Sequence, residues 1–116
     1  LATFLIGRGK QPEARVLLDR LLAEGDAGEK AKAHLQYARS HWRRDEVKES
    51  LARLDLAAKE DPEMKTTLRW LRLRGQVMEE LKRPADAIAA YKAAYGQDRG
   101  NREILRTVIR LAGQAK

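Results

Sequence analysis

The 116-residue chain has no cysteine, which excludes a disulfide framework and any thiolate metal site. Aromatic residues are 5% of it, and valine, isoleucine and threonine are thinly spread. Strands take their packing from those side chains, so a sheet is hard to build from this stock. No apolar run approaches the roughly 20 residues of a membrane-crossing helix, and no charged-then-apolar leader is present. The chain opens on Leu1, not methionine, and residues 1–6 already read as an apolar helix face. It is therefore read as a segment of a longer protein.

Alanine, leucine, glutamate, lysine and arginine supply most of the sequence, with 43% hydrophobic and 35% charged residues. That mixture is the composition of long or stacked helices, and the expected fold is all-α. The formal charge is +7. Such an excess favours acidic partners: an anionic protein surface, nucleic acid or an anionic glycan. It also serves simply to solvate helix exteriors.

Three segments share a pattern. A small residue (Ala14, Ser50, Ala87) is followed four later by a large one (Leu18, Leu54, Tyr91), and three beyond that by Leu21, Ala57 or Ala94. The small residues lie 36 and then 37 apart, a spacing typical of two-helix repeats. Leu71, Gly75 and Met78 precede the third segment as a large, small, large series. His34, Tyr37, Ala38 and His41 precede the second, and Ala2 and Leu5 the first. On these residues the chain resembles the tetratricopeptide repeat family. Two departures are visible: Arg74 stands where an apolar residue is usual, and the period exceeds the family's roughly 34 residues.

The resemblance implies a right-handed superhelical solenoid of antiparallel helix hairpins, with about seven helices in one repeat segment spanning 1–116. Repeats are expected at about 1–26, 28–61 and 62–98, with a terminal helix at 101–114. Individual helices are expected near 1–8, 12–24, 28–43, 46–59, 62–82, 85–96 and 101–114. Asp61 is the expected N-cap of the fifth, with Pro62 at its first position, and Pro12 and Pro84 open second helices of hairpins. The terminal helix lacks a polar outer face, so it reads as the first helix of a further hairpin.

In such a solenoid the first helix of each hairpin lines the concave side. Helical spacing selects Lys32, Leu35, Arg39, Trp42 and Arg43 there, then Arg69, Arg72, Gln76 and Glu79, then Arg106 and Arg110. The candidate partner-binding groove is thus Lys32, Arg39, Trp42, Arg43, Arg69, Arg72, Arg106 and Arg110. A basic groove with one aromatic anchor suits an acidic protein surface or peptide. Arg15, Arg20, Lys48, Arg53 and Lys59 are expected on the outer face. Some family members grip a terminal carboxylate through a fixed set of lysine, asparagine and arginine. The corresponding positions here hold Thr3, Gln36, Arg69 and Leu73, which disfavours that mode.

Catalytic and cofactor chemistry finds little footing. His34 and His41 are seven apart on one helix, about 10 Å along its axis, too far to share a metal ion, and both sit at packing positions. The stretch Gly7-Arg8-Gly9-Lys10-Gln11 lacks the strand, glycine spacing and hydroxyl of a phosphate loop. Ser40 and Ser50 stand in no nucleophile elbow. Glu79-Glu80 and Glu60-Asp61 read as surface pairs at helix ends. No cofactor and no metal site are expected, and the chain is expected to be a scaffold, not an enzyme.

The alternative is RNA binding by a basic helical-repeat array. Trp42 is the sole aromatic in the groove, and no polar base-reading residue recurs once per repeat, so nucleic acid is disfavoured. The Ala/Arg/Leu-rich repeats also resemble the periplasmic helical regions of outer-membrane exopolysaccharide exporters of the Pel type. That resemblance implies a bacterial periplasmic setting and a polysaccharide-modifying enzyme as partner.

Overall fold

The computed structural model describes residues 11–114. They form six α-helices: α1 (Gln11–Glu24), α2 (Ala27–Arg43), α3 (Val47–Glu60), α4 (Leu68–Glu80), α5 (Pro84–Gln97) and α6 (Arg102–Gln114). A 3-10 turn covers Pro62–Thr66, and there is no strand among the described residues. Helices adjacent in sequence pack together: α1 with α2, α2 with α3, α4 with α5, and α5 with α6. Two compact units result, Leu1–Pro62 and Glu63–Lys116. The helix expected at 1–8, with Ala2, Thr3 and Leu5, lies outside the described residues.

In the first unit, α2 starts from a reciprocal cap. Glu29 N–H donates to Asp26 Oδ1 at 2.8 Å, and Asp26 N–H donates to Glu29 Oε1 at 3.1 Å. Two donors at the helix start are satisfied at once. Gly25 precedes the cap because the chain folds back tightly there. A Cβ on it would lie 2.5 Å from the Leu21 carbonyl oxygen and 2.9 Å from Glu29 Cβ. Leu18, Ala33 and Tyr37 form the core between α1 and α2, with Leu21 and Leu22 around it. Between α2 and α3, Ala38, Leu54, Ala57 and Ser50 are fully buried. The Ser50 hydroxyl donates to Ala38 O at 2.8 Å, so the one buried hydroxyl here keeps a partner.

The turn from α2 to α3 recurs, residue for residue, between α4 and α5. Asp45 (φ 61°) and Lys82 (φ 60°), 37 apart, both adopt the left-handed conformation that ends a helix. Glu46 N–H donates to His41 O at 2.9 Å, and Arg83 N–H donates to Met78 O at 2.9 Å. Asp45 N–H reaches Trp42 O at 3.1 Å, as Lys82 N–H reaches Glu79 O at 3.0 Å. The second helices end alike too. Gly25, Asp61 and Asp98 each donate to the carbonyl four residues back, on Leu21, Ala57 and Ala94. The sequence spacing of 36 and 37 is therefore a spacing of backbone geometry.

The second unit begins differently from expectation. A single helix over 62–82 does not form. Pro62–Thr66 wind as a 3-10 turn anchored by buried Met64, Thr67 is extended, and α4 starts at Leu68. The cause lies in two adjacent β-branched hydroxyls. Thr66 Oγ1 donates to Glu63 O at 2.7 Å and Thr67 Oγ1 to Met64 O at 2.8 Å, bonds that compete with helical continuation. Asp61 closes α3 and does not cap α4. Further on, Asn101 caps α6, its Oδ1 accepting from Ile104 N–H at 3.1 Å.

Arg74, the departure from the family pattern, lays its guanidinium 5.5 Å from the centroid of the buried Trp70 ring. Its charged head thereby sits against a π-face, which makes it compatible with a packing position. Gly75 has a stricter reason. A Cβ on it would lie 2.7 to 2.8 Å from three atoms of the Tyr91 ring. The ring occupies the space a side chain at residue 75 would need.

Candidate functional site

The expected groove residues divide by unit, and each group is placed by its own helix. On α2, Lys32, Arg39 and Arg43 are seven and four apart, so 3.6 residues per turn aligns them in one stripe. Lys32 and Arg43 are exposed, and Arg39 and Trp42 are half-buried. Leu35 does not join them. It is 8% exposed and belongs to the packed interior of its unit.

On α4, Arg69 is exposed and Arg72 half-buried, with Gln76 exposed between turns. Arg106 on α6 is exposed as well. Arg110 and Glu79, both assigned to a ligand-facing surface from sequence, face each other instead. Arg110 Nη2 donates to Glu79 Oε1 at 2.6 Å, and the Tyr91 hydroxyl donates to Glu79 Oε2 at 2.9 Å. One carboxylate thus ties α4, α5 and α6 together. Burial first, then the hydrogen bond to Glu79, pushes the Tyr91 phenol well above its usual range. Arg110 is accordingly paired within its own unit while remaining half exposed.

Lys32, Arg69 and Arg106 share one repeat position. They are 37 residues apart, each lies on the first helix of its hairpin register, and each is exposed. At other positions the two hairpins diverge. Arg39 corresponds to Gln76, Trp42 to Glu79 and Arg43 to Glu80. The strongly basic stripe is confined to α2, while one cation recurs at the same repeat position of α2, α4 and α6.

A polar cluster in the first unit escaped the sequence reading. Arg53, expected on the outer face, is half-buried and places its guanidinium 4.4 Å from the centroid of the Tyr37 ring. Its Nη1 lies 3.2 Å from His34 Nδ1. The Tyr37 hydroxyl donates to Asp19 Oδ1 at 2.6 Å, joining α2 to α1. Burial and then the bond to Asp19 push the Tyr37 phenol up to about 12. Burial, followed by the neighbouring Arg53 charge, holds His34 below its ordinary value, against a smaller opposing pull from Glu60. The signal was available: Arg53 aligns with Ala90, one repeat later, and Ala90 is buried.

His41 differs from its expected place in the core. It is half-buried, with Nδ1 2.9 Å from Glu46 Oε1 across the α2–α3 turn. Among the described residues no cluster of three or more His, Cys, Asp or Glu side chains could hold a metal ion. Likewise no described helix is long and apolar enough to cross a membrane.

The architecture so assembled is all-helical, built of sequentially packed helices with a recurring hairpin turn. No family model matches the chain, and no curated protein or solved structure matches it.

Proposed function

We propose that the chain is a non-catalytic protein-binding module, a segment of a right-handed tetratricopeptide-like solenoid that holds an acidic partner. The observation that carries this reading is the recurrence of Lys32, Arg69 and Arg106 at one repeat position, all exposed. Each of these cations is an exposed charge on a helix of its own unit, where it can meet an acidic partner. Trp42 and Arg43 on α2 supply a denser patch within the first unit, where an aromatic side chain of the partner or an acidic turn would seat. Arg110 is left out of the binding set because Glu79 already neutralises it.

The exporter resemblance adds a setting. The partner it implies is a polysaccharide-modifying enzyme in the bacterial periplasm, docked by its acidic surface. A cationic, deacetylated glycan would be repelled by these side chains, so the proposal concerns the protein and not the polymer.

The test is fluorescence anisotropy with two labelled probes, a glutamate-rich peptide and a mixed-sequence single-stranded RNA, each at low and moderate salt. The peptide is expected to bind at low salt and to weaken as salt rises. The triple variant Lys32→Glu, Arg69→Glu, Arg106→Glu is expected to lose that binding while keeping its helical circular dichroism. Equal peptide binding by the triple variant would sink the proposal. Binding of RNA with no binding of peptide would hand the face to nucleic acid.

A further inference from the structure

We infer that the first unit carries an acid-sensitive latch: a proton on His34 expels Arg53 from the face of Tyr37 and loosens α3 from α2 away from their turn. The device lies in the packing of this one hairpin, apart from the basic stripe of α2.

A guanidinium has donors and no acceptor, and it keeps its charge at every ordinary pH. Arg53 Nη1 lies 3.2 Å from His34 Nδ1, so that nitrogen accepts and carries no proton. The imidazole in this contact is therefore neutral, with its one N–H at Nε2. A second proton, on Nδ1, replaces the hydrogen bond by two donors and two positive charges face to face. Turning the ring over brings no relief, because both nitrogens of an imidazolium donate. His34 is 8% exposed and has nowhere to go, whereas Arg53 is half-buried and can swing its long side chain into water. With it goes the contact 4.4 Å above the Tyr37 ring centroid.

Both neighbouring helices contribute charges to this cluster. From α3 come Arg53 and Glu60, and from α1 come Asp19 and Arg15, which act on Tyr37. On α2 itself, Lys30 and Tyr37 stand one turn to either side of His34, and His41 two turns on. Glu60 draws a proton toward His34, but burial and the Arg53 charge outweigh it. Asp19 Oδ1 already accepts from the Tyr37 hydroxyl at 2.6 Å. The closed arrangement thus belongs to neutral pH, and acid opens it.

The second hairpin shows that the repeat does not need this pair. One repeat on, His34 becomes Leu71 and Arg53 becomes Ala90, both buried. That unit also lays an arginine near an aromatic ring, Arg74 at Trp70. The chain's two histidines are both on α2, however, so acid has no imidazole to act on there. The other one, His41, works in the opposite sense. A proton on it makes an ion pair of its 2.9 Å contact with Glu46, which holds the α2–α3 turn closed while the contact at His34 opens.

The test is an NMR titration of the chain from about pH 8 to about pH 5, across the histidine range. The Tyr37 ring current displaces the Arg53 δ-methylene protons from the position of an exposed arginine. That displacement is expected to be lost on acidification, with the same midpoint as the His34 ring protons. Ala90 and Tyr91 in the second hairpin are expected to hold their positions over that range. His34→Gln, whose amide oxygen accepts from Arg53 without titrating, is expected to keep Arg53 displaced at the lowest pH. Arg53 protons that stay in place while His34 takes up its proton would overturn the inference, and the unmodified chain alone decides this. So would a midpoint in the carboxylate range, which would assign the release to Asp19 or Glu60. Movement of Ala90 together with Arg53, or an unchanged pH dependence in His34→Gln, would overturn it as well.

Discussion

The hairpins α2–α3 and α4–α5 share a turn and differ in what fills them. Both turn through a left-handed residue, Asp45 or Lys82, with the same pair of backbone hydrogen bonds. Inside, however, the first has Ala38 and Leu54, and the second has Gly75 and Tyr91. Where the second helix brings a larger side chain, the first helix has given up its last carbon. A repeat is thus held by its backbone register and its summed volume, while individual side chains are exchanged. The buried phenols make the same point. Tyr37 sits on a first helix and donates to Asp19 of the preceding helix, whereas Tyr91 sits on a second helix and donates to Glu79 of its own hairpin. Each unit pins one phenol to one carboxylate, by different geometry.

Breaking the first hairpin is expected to have the largest effect. Leu54→Ala removes a fully buried side chain and should cost about 2–5 kcal/mol in denaturant unfolding. In the second hairpin, Glu79→Ala removes the carboxylate shared by Tyr91 and Arg110. Arg110 is half exposed and contributes little, so the loss expected is about 1 kcal/mol, mostly the Tyr91 bond. The same variant should move the Tyr91 titration down, read by ultraviolet absorbance. Relief of the shared turn comes next. Lys82→Gly frees a left-handed residue and should raise stability by a few tenths to about 1 kcal/mol, with Asp45→Gly behaving alike.

The smallest effect distinguishes the units by pH. His34 titrates below its ordinary 6.5 in the folded chain, chiefly because it is buried and faces Arg53, with Glu60 opposing. The unfolded chain therefore takes up the proton first, and the stability His34 contributes, present above about 6.5, is lost as pH falls through and below it. His34→Gln should flatten that part of the acid limb of the unfolding curve, and the His34 imidazole resonances should show a midpoint below 6.5.

Most helices of the described residues, the 36- and 37-residue spacing and the small-then-large pattern within each segment were legible in the sequence because they rest on side-chain size and helical period, which are local. The start of α4 was not. Asp61-Pro62 is a sound helix opening, and what defers the helix to Leu68 is the pair of hydroxyl bonds from Thr66 and Thr67 together with burial of Met64. Placing the cations was harder still. Lys32, Arg69 and Arg106 are exposed as helical spacing required, yet the same spacing gave Leu35 and Arg110 to the ligand face. Leu35 is drawn into the interior, and Arg110 is captured by a carboxylate 31 residues away in the chain. A helical wheel registers direction but not neighbours, and Arg53 shows the converse, a charge judged external that stacks on Tyr37.

The exchange between hairpins is tested most directly by a double-mutant cycle on Gly75 and Tyr91. Gly75→Ala drives a Cβ into the Tyr91 ring and is expected to cost about 1–3 kcal/mol. Tyr91→Leu alone leaves space above Gly75 and loses the bond to Glu79. Together they install the Ala38 and Leu54 pair in the second hairpin, so the double variant should be more stable than the sum of the single losses by about 1 kcal/mol or more. Additive losses would contradict the account, since the two hairpins would then not be alternative fillings of one repeat.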